Sequence, residues 1–510
     1  MHAFVCSAIA FAGRARLLHE PALRVAPVVL SALAPAAPQD RSYAPQVNNE
    51  AEVWDSFPRT WVPLASVFEL DPERPTPVTF LGRKYVLWQD QDGLWRAFVD
   101  ACPHRLAPLS EGRIDRKANR LECAYHGWAF DSDGTCTRIP QIDSVALGTA
   151  LGSPRSCVAS LPVAVHKRLL FAWPWGGLPA LGEGPGTPEH LLAGVRENVS
   201  TYTRDLPYGW DTLVENLIDP AHIPWAHHGL QGKREDAVPI TMSIPRDAAA
   251  SQTGFSFDFG DRTMGLRRAG TGEFRAPYVV DYNAEFQVPA GATPRQPFRL
   301  TVVCIPTRAG WSRAIIYGFS QAELPPRRVP PLPPLPKAPA VALKHKKSMV
   351  SRIFGLMPVW LVHTLSSRFL DSDLAFLHNQ EKELARRAPH SAAQAYFMPA
   401  PADQPIIALR RWLAAHAPVL GPLPPPITDR ATLLDRWTQH SAHCYHCTTA
   451  AGRLPVWRKR AAGTLALSLL FGMRAWPARL VAAGCVGLLW ALGWAEQALR
   501  FQDYKHYENH

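Results

Sequence analysis

Apolar and polar positions fall into blocks along the chain, and each block predicts an element. β-Branched and aromatic residues crowd Val78 to Trp88 and Trp95 to Val99, with the polar turn Asp90-Gln91-Asp92-Gly93 between them. That composition predicts two strands. The apolar run from Leu169 to Pro174 predicts a closing strand, and a Gly/Pro-rich linker follows over 176–188. Residues 208–228 are helix-like. Beyond them, Phe255 to Phe259, Tyr278 to Val288 and Phe298 to Cys304 read as strands of one sheet. Taken alone, the pattern gives the fold class α+β.

Two apolar runs stand late in the chain, Ala461 to Phe471 and Leu480 to Ala495, broken by Arg474, Pro477 and Arg479. Neither reaches the roughly 20 apolar residues of a simple span. They predict a short helical hairpin, a tilted span with snorkelling arginines, or a buried amphipathic hairpin. Charge bears on the choice. The chain carries a net +11, and two stretches, Arg327 to Arg352 and Arg453 to Arg479, hold basic residues without an acid. Such clusters suit nucleic acid or an anionic lipid surface. The adjoining apolar segment 461–497 favours the membrane and argues against nucleic acid.

At 510 residues the chain has room for two or three domains. Its first 45 residues are Ala-rich, contain Arg14, Arg16 and Arg24, and are poor in acids, as an organelle transit peptide is. Residues 52–175 form a first domain and 200–395 a second. A polyproline-like insertion lies at 324–342, and an extension covers 396–455. Nine scattered cysteines make no disulfide framework and imply a reducing compartment. The 17 Trp and 21 Phe suit a large, flat, apolar substrate.

The chemistry begins with Cys102-Pro103-His104 and Cys123-Ala124-Tyr125-His126. Two thiolates and two imidazoles can hold one zinc ion, or the two irons of a Rieske [2Fe–2S] cluster. Context favours the cluster. Arg105-Leu106-Ala107-Pro108-Leu109 follows the first pair, Gly127-Trp128-Ala129-Phe130 the second, and Ile139-Pro140-Gln141 offers a proline loop as a lid. A second constellation is Asp219-Pro220-Ala221-His222-Ile223-Pro224-Trp225-Ala226-His227-His228. Its Asp-x-x-His-x4-His spacing sets His222 and His227 one and a half helical turns apart. Two imidazoles and a carboxylate form the facial triad of mononuclear Fe(II).

On these residues the chain resembles the Rieske non-haem iron oxygenases. The gap from His104 to Cys123 is one residue longer than is usual there, and the turn Arg116-Lys117-Ala118-Asn119 can absorb it. The resemblance implies an all-β N-terminal Rieske domain, then an α+β catalytic domain with a helix and a curved antiparallel sheet. It implies that Cys102, His104, Cys123 and His126 bind the cluster and that His222 and His227 bind iron. By register with the family's C-terminal helix, Asp373 is the third ligand and Asp371 the reserve, the other serving as a helix N-cap. It further implies a homotrimer in which Asp219 joins one subunit's cluster to its neighbour's iron, with Asn216 nearby.

Leu370-Asp371-Ser372-Asp373-Leu374, Asp435-Arg436-Trp437, His440 and the late Cys444-Tyr-His-Cys447 narrow the resemblance to the pheophorbide a oxygenase-like branch. It covers about residues 52–500. The branch implies a chlorophyll-derived tetrapyrrole substrate, O2, electrons from ferredoxin, and a chloroplast envelope or thylakoid location facing the stroma. The alternatives it leaves are a tetrapyrrole or phyllobilin hydroxylase and a redox-sensing protein of the import translocon. Cys444 and Cys447 admit three readings: a dithiol switch for thioredoxin, a zinc site with His440, His443 or His446, or idle thiols.

Overall fold

The structure is a computed structural model. It describes residues 54, 57–175, 188–195, 199–245, 251–288, 291, 295, 297–317, 357–387, 392–417, 420, 422–471 and 476–506. The transit segment, the polyproline insertion, the basic cluster that follows it and nearly all of the 176–188 linker lie outside these residues.

Eleven short strands build the N-terminal part, in three antiparallel sheets. One joins β1 (Val62–Ser66), β11 (Leu169–Ala172) and β10 (Val163–His166). Another runs β2 (Thr76–Phe80), β3 (Arg83–Gln89), β4 (Trp95–Val99) and β9 (Ser160–Leu161). The third holds β5 (Arg113–Asp115), β6 (Arg120–Glu122), β7 (Ala129–Phe130) and β8 (Cys136–Arg138). The apolar block Val78 to Trp88 is two strands, not one. Leu81 and Gly82 take φ of 47° and 81°, which turns the chain back on itself. That turn docks on the second domain through Leu81 N–H to Pro306 O at 3.1 Å and Gly82 N–H to Thr307 O at 2.7 Å.

The second part is one seven-stranded antiparallel sheet in the order β12-β18-β17-β16-β15-β14-β13. Its strands are β12 (Thr201–Leu206), β13 (Thr241–Ser243), β14 (Gly254–Thr263), β15 (Leu266–Arg275), β16 (Val279–Gln287), β17 (Phe298–Arg308) and β18 (Trp311–Tyr317). Close approach explains one glycine. A Cβ on Gly272 would sit 2.3 Å from the Phe257 ring, so only glycine lets β15 lie under that ring. Helix α1 (Trp210–Leu217) and the long α3 (Val359–Arg386) pack on this sheet, and the short α2 (Ile223–Ala226) packs on the turn Arg234–Asp236. The α+β class is thereby confirmed.

The apolar cores explain why the two parts pack as one. Phe57 of the first part meets Trp210 of the second edge-on, Phe80 meets Tyr278 edge-on, and Trp175 stacks on Phe57 behind them. A separate core of Val86, Trp88, Phe98, Leu121 and Phe130 underlies the Cys/His loops. Late in the chain stands a helical hairpin, α4 (Tyr445–Phe471) and α5 (Trp476–Ala498). Residues 499–506 return to the catalytic part, with Tyr504 Oη 3.5 Å from Ala226 O and His506 Nε2 2.7 Å from Ser372 O.

Candidate functional site: two metal centres and a cleft

The first Cys/His pair sits in the loop after β4 and the second in the loop between β6 and β7. Both loops close the same way. Cys102 N–H bonds Ala107 O at 2.8 Å, and Leu106 N–H bonds Cys102 O at 2.8 Å. Cys123 N–H bonds Trp128 O at 2.8 Å, and Gly127 N–H bonds Cys123 O at 3.0 Å. The fifth residue of each loop is left-handed, Leu106 at φ 60° and Gly127 at φ 69°. Such a turn aims the cysteine inward and leaves the histidine at the rim. Accordingly Cys102 and Cys123 are buried, while His104 is exposed and His126 half-buried. The two imidazoles lie 4.7 Å apart, and His104 stacks on Trp128. Burial pushes the Cys102 thiol up to about 12, so it ionises when a metal takes the proton's place. Pro140 does lie over this loop: a Cβ on Gly127 would meet its Cγ at 3.0 Å.

The second centre depends on a broken helix. In a continuous helix, positions five apart point to widely different faces. Here α1 stops at Leu217, and Pro220 precedes a turn and the short α2. After the break, His222 and His227 stand at the two ends of α2, as its N-cap and C-cap, and their rings turn toward each other with the Nε2 atoms 3.3 Å apart. Asp373 arrives from the middle of α3, its Oδ2 3.3 Å from His227 Nε2 and 3.9 Å from His222 Nε2. These three are grouped closely enough to share one ion. Burial pushes Asp373 up to about 6. Burial also works against a charged His222, but Asp373 and Asp219 outweigh it and lift His222 to about 9. The cluster of donors thus retains a proton where a cation belongs, and the residues fit a metal.

The Asn216 side chain faces Asp373 and favours its ionised form, against the effect of burial. Asp219 lies on the outer side, with Oδ2 3.6 Å from His222 Nδ1 and Oδ1 accepting from Ala221 N–H at 2.7 Å. The expectation that Asp371 or Asp373 caps a helix is corrected. Both lie mid-helix, and Pro358 is the N-cap of α3. Asp371 points away from the triad, between Arg204 at 2.7 Å and Arg436 at 2.5 Å. All three of those side chains are fully buried. Pairing, not metal binding, occupies Asp371.

Above the triad opens a cleft of about 1260 Å³, mouth included. Its walls are mostly apolar, from Leu300, Val302, Ile316, Val362 and Phe369. Arg268 and Tyr282 also reach it. Arg268 Nη1 and the Tyr282 hydroxyl are buried with no hydrogen-bond partner among the described residues. Cys444 and Cys447 are brought together with His440 and with His363, a residue that sequence reasoning did not single out. His443 and His446 stay outside that group.

Comparison with known proteins decides the family. The profile of the Rieske [2Fe-2S] domain matches residues 60–158, and that of pheophorbide a oxygenase matches residues 274–391. The pheophorbide a oxygenase of Oryza sativa is 32% identical, over 98% of this chain and 94% of that protein. The chain belongs to the pheophorbide a oxygenase family of Rieske oxygenases. A flavonoid 8-hydroxylase 2 of Ocimum basilicum is 29% identical, over 89% of this chain and 84% of that one. The protochlorophyllide-dependent translocon component 52 of Arabidopsis thaliana is also 29% identical, over 76% and 72%.

Membership carries the cofactors: a [2Fe–2S] cluster in the Rieske domain and a mononuclear iron in the catalytic domain. The chain is a Rieske non-haem iron oxygenase. It uses a small-molecule substrate, O2 and a ferredoxin-type electron donor.

Proposed function

We propose that this oxygenase acts on a chlorophyll-derived tetrapyrrole such as pheophorbide a. The observation that carries the reading is the triad His222, His227 and Asp373 at the floor of a large, mostly apolar cleft. Binding pockets are lined mainly by apolar side chains with a few placed polar groups, and this cleft's apolar walls with Arg268 and Tyr282 suit a flat apolar ring bearing a polar substituent. In this reading Cys102 and Cys123 hold one iron of the cluster, and His104 and His126 hold the other, at the surface where an electron can leave. His222, His227 and Asp373 hold the mononuclear iron. Bound iron would supply O2 activation, fed by the cluster one electron at a time.

The chain's own groups do the rest. Apolar walls exclude water and accept the ring. Asn216 favours the ionised form of Asp373 that a metal binds. Arg268 offers Nη1 to an acidic substituent of the substrate. Asp219 stands at the outer edge of the triad with its side chain a quarter exposed, which supports a role in joining this iron to a neighbour's cluster within a homotrimer. The intact triad argues against a redox sensor that never turns over.

We place the protein in the chloroplast, where the pheophorbide a oxygenase of Oryza sativa resides by name. Residues 1–45 serve as the transit peptide. Among the described residues, α5 is long and apolar enough to cross a membrane, with mean hydropathy 1.5. The α4–α5 hairpin then anchors catalytic domains that face the stroma.

Anaerobic single turnover tests the substrate. Reduced, iron-loaded protein is given pheophorbide a, chlorophyllide, protochlorophyllide, a phyllobilin or a flavone, and O2 is then admitted. Gain of oxygen with loss of the chlorin absorption is the expected result with pheophorbide a. Gain of one oxygen with the chromophore kept makes it a hydroxylase. No product with any tetrapyrrole, from protein holding both iron centres, overturns the proposal.

A further inference from the structure

Four side chains meet in the interior at a place the oxygenase chemistry does not use. His363 comes from the first turns of α3, ten residues and about 15 Å of helix before Asp373. His440 comes from a single π-helical turn, Trp437–Ser441. Cys444 and Cys447 flank the start of α4. All four are at most 4% exposed.

The hydrogen bonds around them fix what the inner atoms are. His363 Nε2 lies 3.0 Å from Thr201 O, and His440 Nδ1 lies 2.5 Å from Thr203 O. A carbonyl only accepts, so each outer nitrogen carries the ring's hydrogen. In a neutral imidazole the other nitrogen is then a bare lone pair. Those inner nitrogens, His363 Nδ1 and His440 Nε2, face each other at 3.1 Å. Two sulphurs close the group. Cys444 Sγ is 3.5 Å from His363 Nδ1, and Cys447 Sγ is 3.6 Å from it and 3.3 Å from His440 Nε2. Lone pairs held this close in a dry interior are costly, and a cation between them removes that cost more fully than the weak S–H donors of two thiols can.

We propose that His363, His440, Cys444 and Cys447 bind a structural zinc ion. Zinc takes nitrogen at about 2.0–2.1 Å and sulphur at about 2.3 Å in a tetrahedron. That geometry sets nitrogens about 3.4 Å apart and nitrogen from sulphur about 3.6 Å apart, close to the distances found. Two thiolates with two imidazoles and no open position are a structural zinc set. Each ring also has the outer hydrogen bond to a carbonyl that orients metal-binding histidines. Glu69 adds negative charge nearby: its Oε2 is 3.8 Å from His440 Nδ1, and its carboxylate also accepts from the Thr201 and Thr203 hydroxyls at 2.8 and 2.9 Å. The ion would staple two segments distant in sequence, the 440–447 stretch at the hairpin base and α3 with its Asp373, and the outer hydrogen bonds of both rings tie them to strand β12. His363 and Thr201 also line the cleft, so the staple stiffens its wall. A thioredoxin-sensitive switch needs thiols that a partner can reach, and Cys447 is wholly buried.

The test uses the full chain with its Rieske cluster counted by electron paramagnetic resonance. Metal content and zinc K-edge absorption are read on the same sample. The expected result is about one zinc per chain besides the iron, in a shell of two sulphurs and two nitrogens. C444S/C447S should lose that zinc and keep the cluster signal. H440C, which keeps four ligands, should retain zinc and show a third sulphur, so that misfolding of the double variant leaves the proposal testable. A zinc-free wild type, a shell without sulphur, zinc that survives in C444S/C447S, or a disulfide in the intact mass each overturns it.

Discussion

His227 and Ser372 are joined by a 2.7 Å bond from Nδ1 to Oγ, and the same hydroxyl lies 2.6 Å from Phe369 O. The carbonyl can only accept, so the hydroxyl's one hydrogen goes there. Its lone pair must then take the hydrogen of His227 Nδ1. This fixes the tautomer and leaves Nε2 bare toward Asp373 and His222.

Ser372→Ala should therefore weaken iron binding without removing a ligand. Loss of such an outer partner costs about 10- to 100-fold in metal affinity. Competition with a chelator measures it, and Ser372→Thr should restore part of the loss. An unchanged affinity in Ser372→Ala would show that the ring is held by packing alone.

Asp371 and Asp373 are two residues apart, and substitution should separate their roles. Asp371→Asn leaves Arg204 and Arg436 buried without a carboxylate, held only by neutral acceptors such as Gln439 Oε1 and Ser367 O for Arg204 and Ala498 O for Arg436. Breaking a buried pair costs about 3–5 kcal/mol, so the protein should melt earlier while the fraction that stays folded still binds iron. Asp373→Asn should do the reverse, losing mononuclear iron with little change in melting. Iron content and thermal denaturation of the two variants give the comparison.

These residues also show how far the sequence was legible. The Rieske loops could be read directly because each is a local turn whose Cys and His lie within four residues. His222 and His227 could be read as a pair. Their convergence could not, because it depends on where α2 begins and ends, with His222 and His227 as its two caps. Asp373 was reachable only through family register, since its approach is a tertiary event of α3. His363 left no signal: a single histidine on an amphipathic helix looks the same whether it binds a metal or fills a core. The apolar runs 461–471 and 480–495 gave the hairpin, but the polar residues after it gave no hint that they return to Ser372.

Gly127 should tolerate no side chain. Its φ of 69° costs an L-residue about 1–2 kcal/mol, and a Cβ would press on Pro140 Cγ at 3.0 Å. Gly127→Ala should yield protein with less [2Fe–2S] cluster and faster loss of it in air, read from the visible spectrum. Gly93 shares a positive φ but has open space around its Cβ position, so Gly93→Ala controls for the backbone cost alone.

Arg268 is held by Asp261 at 2.9 and 2.5 Å and stacks over Phe298, its centre 4.5 Å from the ring. Arg268→Lys keeps a charge beside Asp261 but removes the free Nη1 donor. A charge-assisted bond to a substrate carboxylate is worth about 1.5–3 kcal/mol. KM for pheophorbide a should rise about tenfold or more, while KM for its methyl ester stays close to the wild-type value. Equal changes for acid and ester would remove Arg268 from substrate recognition.

The hairpin can be separated from the catalytic part because the chain on both sides of it is tied down independently. At its base Arg458 pairs with Glu496 at 2.5 Å. Beyond it, Arg436 and Trp437 N–H groups bond Arg500 O at 2.9 and 3.2 Å. Farther out, Leu470, Trp476 and Trp490 are more than two-thirds exposed, an apolar surface of the kind that marks a membrane contact. Replacing residues 462–494 by a short Gly/Ser linker should therefore keep iron content and cluster signal while abolishing flotation with lipid vesicles. The full chain should float and resist release by high salt, because apolar burial, unlike attraction to charged headgroups, is not screened. Release of the full chain by salt alone would make the contact a surface one, carried by Arg453, Arg458, Lys459 and Arg460 rather than by insertion of α5.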